Sequence, residues 1–110
     1  MDAVTAQPGP ITTPAGTVRC TKPGQYHVTV SVPVTTKGRN GVRQAALWLQ
    51  STHHGDPVLI GRAKAKASVV PVIGCFSPSQ VQGLKRGPAY LIAVDVLDGH
   101  TNVVRVRVSR

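Results

Sequence analysis

From position 25 to 34 the chain reads Gln-Tyr-His-Val-Thr-Val-Ser-Val-Pro-Val, which sets Tyr26, Val28, Val30, Val32 and Val34 against His27, Thr29 and Ser31. Successive side chains of a strand point to opposite faces, so this period of two makes one apolar face and one wet face. The pattern predicts an antiparallel strand buried on one side, launched by the Pro23-Gly24 turn. The design recurs. Strands are also predicted over 17–21, 42–50, 57–65, 68–76, 80–84, 89–97 and 102–109, eight in all with the one at 25–34. In the third, Ala45, Leu47 and Leu49 share a face and Trp48 points the other way. The stretch 68–76 is almost continuously apolar, which predicts a central strand. Tyr90, Ile92, Val94 and Val96 share a face of the seventh, and Val104, Val106 and Val108 alternate with Arg105 and Arg107 in the last. Turn signals at Asn40-Gly41, Ser77-Pro78, Gly87-Pro88 and Asp98-Gly99 separate these runs. No segment sustains a helical apolar period, so the prediction is an all-β, eight-stranded antiparallel jelly-roll sandwich over 16–110. Pro8, Pro10 and Pro14 interrupt pairing in 1–15, which predicts an extended N-terminal arm.

Charge sharpens this picture. The 110 residues carry a formal net charge of +9, with no Glu and only Asp2, Asp56, Asp95 and Asp98 as acids. Such an imbalance favours an acidic partner, whether protein, nucleic acid or anionic membrane surface. No apolar run reaches the roughly 20 residues of a membrane helix. No basic stretch followed by an apolar core marks a secretory leader, and with Met1 in place the expectation is a protein retained in the cell that makes it. Cys20 and Cys75 are either a disulfide closing a loop of 55 residues or two buried thiols.

Catalysis needs titratable groups brought together, and here the acids are scattered. Asp56 and Asp98 fall in turn contexts where Asp bonds its own backbone, and Asp95 falls on a strand, facing solvent or paired with an Arg. His53-His54-Gly55-Asp56 reads as a polar loop rather than a metal site. No enzyme activity, cofactor or metal is expected. The functional positions are basic and aromatic instead. Arg62, Lys64 and Lys66 form one stripe, and Arg105, Arg107 and Arg110 a second, each reading as a docking surface or a solvated face. Trp48 reads as an interface anchor or as core reached through a bulge, and His27 as a surface or subunit-contact histidine. Aromatics are few, which makes direct nucleic-acid binding the less favoured use of the charge.

Two segments carry a family resemblance. Cys20-Thr21-Lys22-Pro23-Gly24-Gln25-Tyr26 resembles the turn entering an aromatic-rich strand in the globular heads of the complement first component and the tumour necrosis factor superfamily. The run from Val81 to Leu91, with Gly83 and Gly87-Pro88, is similar to the turn before that family's penultimate long strand. The resemblance spans 17–110 and implies a jelly roll that forms homotrimers. Small domains of this type occur as fibre tips and capsid decoration proteins of tailed phages. It therefore implies a non-enzymatic structural protein on the virion surface, assembled in the host cytoplasm and bound to a major capsid protein or another acidic surface. The alternatives are a secreted β-sandwich binding module for carbohydrate or protein, with Cys20 and Cys75 bridged, and a small basic nucleic-acid-binding protein.

Overall fold

The computed structural model describes residues 3–51 and 56–108. Among them, in chain order, are β1 (Ala3–Pro8), β2 (Ile11–Thr12), β3 (Val18–Arg19), β4 (Tyr26–Pro33), β5 (Arg43–Ser51), β6 (Val58–Ala65), β7 (Val69–Phe76), α1 (Pro78–Arg86), β8 (Ala89–Asp95) and β9 (Thr101–Val108). Seven strands make one sheet in the order β6-β5-β8-β9-β1-β4-β7, and β2 and β3 form a separate hairpin. Its end strands β6 and β7 pack on each other, so the sheet curls almost into a barrel.

The alternating pattern of β4 was legible and is realised. Val28, Val30, Val32 and the following Val34 are buried, while Thr29 and Ser31 are exposed. They meet Leu47 and Leu49 of β5, Val70, Val72 and Phe76 of β7, and Leu91 and Ala93 of β8 in one core. Short branched side chains dominate it, which suits strands curving around a narrow interior.

Closure depends on two glycines. A Cβ on Gly61 of β6 would overlap the Ile73 carbonyl oxygen of β7, and one on Gly74 would come within 2.6 Å of Ile60 Cδ1. The missing side chains let the two backbones approach where no strand ladder joins them. A bulge at Ile60, where the pairing steps from Leu47↔Gly61 to Trp48↔Leu59, adds local bending.

Several expectations are corrected. The fold is all-β in class, but the sheet is mixed rather than wholly antiparallel, because β1 runs parallel to β9 with Ala3 opposite Arg105 and Ala6 opposite Val108. The described part of the segment read as an arm is thus largely sheet. Its first four strand residues pair with β9, and Gln7 and Pro8 then cross to β4. The prolines do not prevent this, since Pro8 ends the strand and Pro10 lies beyond it. Residues 80–84 are helix, not strand. Ser77 caps α1 by accepting the Gln80 N–H at 3.2 Å, Gln80 Oε1 accepts the Ser77 N–H at 2.8 Å, and Pro78 follows the cap. The almost continuously apolar β7 lies at an end of the sheet, and only alternate residues of it are fully buried. In β8 the buried face is Ala89, Leu91, Ala93 and Asp95, opposite to the one carrying Tyr90 and Ile92.

Cys20 and Cys75 are joined by a disulfide with an S–S distance of 2.07 Å. It ties the end of the β2–β3 hairpin to β7 across 55 residues of chain, a closure that stabilises by about 4 kcal/mol in the chain-entropy account.

Candidate docking face and basic cleft

Strand register decides which side chains meet on the barrel's outer surface. Leu59 of β6 sits opposite Trp48 of β5, Trp48 opposite Ile92 of β8, and Ile92 opposite Val103 of β9. These four make one lateral row across four neighbouring strands. Strands lie about 4.8 Å apart, so the row is about 14 Å long. It is not covered: Val103 is 60% exposed and Leu59 41%, while Trp48 and Ile92 are half-buried against their neighbours.

The adjacent rows carry the charge. On one side Arg62, Ala46, Val94 and Thr101 align, with Lys64 opposite Gln44 beyond them. On the other, Gln50, Tyr90, Arg105 and Ala3 align, with Arg107 two residues further along β9. Arg62, Lys64, Arg105 and Arg107 are all exposed. An apolar centre flanked by cations on both sides is the result, with no acid among the described outward residues of these rows. Tyr90 is the exposed aromatic there, and Trp48, in the adjacent row, is half-buried.

The fold therefore assembles Trp48, Arg62, Lys64, Arg105 and Arg107 from the sequence-predicted positions on one face. Lys66 is exposed just past the end of β6, and its carbonyl accepts the Arg43 Nη1–H at 3.2 Å. His27 does not join them. It is half-buried on β4, and its Nδ1–H donates to the Gly9 carbonyl at 2.8 Å, which fastens the β1–β2 connection. His53, His54 and Arg110 lie outside the described residues. Leu59, Ile92 and Val103 were missed as candidates. Their type was visible in the sequence, but only the register puts them in line.

The barrel end beside α1 holds a cleft of about 640 Å³, lined by Tyr26, Leu84, Lys85, Gly87, Pro88, Arg105, Val106, Arg107 and Val108. Its charged walls are Lys85 from the last turn of α1 and the two arginines of β9. The cleft lies where the end of α1 and the Gly87-Pro88 turn meet the end of β9, past the last pair of the β8–β9 ladder, Ala89↔Val106.

The described acids, Asp56, Asp95 and Asp98, line neither the row nor the cleft, and Asp2 lies outside the described residues. Asp95 is buried, and its Oδ2 accepts the N–H groups of Thr35 at 3.2 Å and Thr36 at 3.4 Å. It neither faces solvent nor pairs with an arginine, because its side of β8 is the core side. Asp98 holds the β8–β9 turn, accepting the His100 N–H at 2.7 Å and the Thr36 hydroxyl at 2.9 Å. Those two hydrogen bonds, the His100 one first, hold its carboxyl below the ordinary 3.8. Asp56 borders a smaller hollow with Ser77 and Ser79, where the Ser77 hydroxyl is engaged in capping α1. Among the described residues no group of three or more His, Cys, Asp or Glu is placed to hold a metal ion, and no helix is long and apolar enough to cross a membrane.

No protein-family model, curated protein or solved structure matches the chain.

Proposed function

We propose that the protein is a non-enzymatic docking protein that binds an acidic protein surface through the outer face of β6, β5, β8 and β9. The row Leu59–Trp48–Ile92–Val103, apolar, uncovered and flanked by Arg62, Lys64, Arg105 and Arg107, carries this reading. Apolar centres with polar rims mark interaction surfaces, and buried aromatics and arginines supply most of the binding energy. Two copies stacked through this face would set cations together with no carboxylate of the described residues between them, so the complement is an acidic partner rather than a second copy.

Within that class the role we favour is a trimeric head-stabilising decoration protein of a tailed-phage capsid. It rests on the resemblance across 17–110 and is a fold-level analogy. In this role each copy presents its outer face to the shell and the copies meet around a three-fold axis. Capsids incubated with the protein and imaged by electron microscopy test it. Density at three-fold positions, lost with Val103→Asp, is expected. Absence of density there, with a monomer in sedimentation, removes the capsid role. An acidic partner still captured through the same face would leave the docking reading standing.

The disulfide favours a second reading, an exported β-barrel binding module, since such bridges persist in oxidising compartments and on virion or cell surfaces. Thiol titration of protein taken from its native source decides this. Two free thiols would argue against export.

A further inference from the structure

We infer that the cleft between α1 and the end of β9 binds an extended, acidic peptide segment. Three cations line it, Lys85, Arg105 and Arg107, and among the described residues no carboxylate does. Its remaining walls are Tyr26, Leu84, Pro88, Val106 and Val108, so an occupant meets apolar surface between its charges. The volume, about 640 Å³, lies in the range of pockets that enclose small ligands or short chain segments.

The spacing of the cations argues for a chain rather than a point anion. Arg105 and Arg107 are two residues apart on one strand, which places their Cα atoms about 6.6 Å apart. An extended peptide with an acid at every second position repeats at the same distance. A single phosphate would call for donors converging on one point. Arginine also suits carboxylates through its planar fork of donors.

The backbone agrees. The ladder between β8 and β9 ends at Ala89↔Val106, and no strand continues opposite Arg107 and Val108 on the β8 side. The cleft begins where that ladder ends, with Val106, Arg107 and Val108 in its wall. Tyr26, half-buried in the wall, is the cleft's only aromatic among the described residues, so successive bases of a nucleic acid find no stacking platform.

The inference stands apart from the outer face. Arg105 and Arg107 border both features, but Lys85 belongs to the cleft alone, and Leu59 and Val103 to the face alone. The test uses the full chain and fluorescence anisotropy of a short labelled peptide of alternating Asp and Val. Controls are the Asn-Val peptide, a labelled oligothymidylate and inorganic phosphate as competitor. Saturable binding of the acidic peptide is expected, with the Asn-Val peptide weaker by about tenfold or more. Lys85→Glu and Arg107→Glu should each weaken it by about tenfold, and Leu59→Asp should leave it unchanged. In an amide NMR titration of the unmodified protein, Gly87, Val106 and Val108 should move most. The inference is overturned by absent binding at low salt, by equal binding of the Asn-Val peptide, or by indifference to Lys85→Glu. Tighter binding of the oligothymidylate would assign the cleft to nucleic acid and overturn it. Full displacement by inorganic phosphate would make it a point-anion site, with the same consequence. Loss with Leu59→Asp alone would move the binding to the outer face.

Discussion

Asp95 is an ionisable side chain in the core that does a structural job. Its Oδ2 gathers two backbone N–H groups from the connection after β4, while Oδ1 is buried without a hydrogen-bond partner. Removing the carboxylate leaves those N–H groups unpaired. Asp95→Ala should therefore destabilise by about 1–3 kcal/mol in chemical denaturation. Asp95→Asn should cost less, because its carbonyl oxygen still accepts. Asp98 acts at the surface and through pH. Its folded-state pKa is lowered, so its contribution is present above the unfolded value of 3.8 and is lost as pH falls through the lower folded value. Melting temperatures measured down through that window should fall more steeply for the native chain than for Asp98→Asn. Equal slopes would show that the turn contributes nothing.

At the scale of elements, the barrel seam and the disulfide are the two devices that hold the sheet closed. Gly61→Ala pushes a methyl group into the Ile73 carbonyl and should cost about 1–3 kcal/mol or more. Gly83→Ala is the matching control. It lies within α1 with nothing within 4 Å of its added Cβ, and should stabilise by about 0.5–1 kcal/mol. Paired urea titrations read both. Reducing the Cys20–Cys75 bridge should lower stability by about 4 kcal/mol and raise hydrogen exchange first in the β2–β3 hairpin, which the bridge anchors. Much of this architecture was legible. The alternation in β4, the outward Trp48 and the alternating valines of β9 follow from period alone. The helix was signalled too, by Ser77 and Gln80 spaced as a capping box with Pro78 between them. Its short apolar stripe, Val81 and Leu84, gave too little period to outweigh a strand reading. Ala3–Pro8 carries no strong strand propensity, and its place in the sheet comes from a partner far along the chain.

The whole molecule combines a charge of +9 with five cations, Arg62, Lys64, Lys85, Arg105 and Arg107, at the outer face and the cleft. Such a field steers acidic partners from a distance and is screened by salt. Association rates with an acidic protein should fall steeply between low and physiological ionic strength, and Arg62→Gln with Arg105→Gln should flatten that dependence. Stopped-flow mixing reads both. The row of apolar residues could not be seen in the sequence, because it joins positions on four strands whose register is a tertiary property. The parallel pair has a consequence in time. Ala3 and Arg105 are about a hundred residues apart, so on the ribosome β1 emerges long before the strand it lies beside. β1 also bridges β9 and β4, so the two parts of the sheet cannot be knitted together until the distal strand has been made. Folding should accordingly be slow, and until β9 has been made the edge of β4 that β1 covers is the part of the chain most in need of a chaperone.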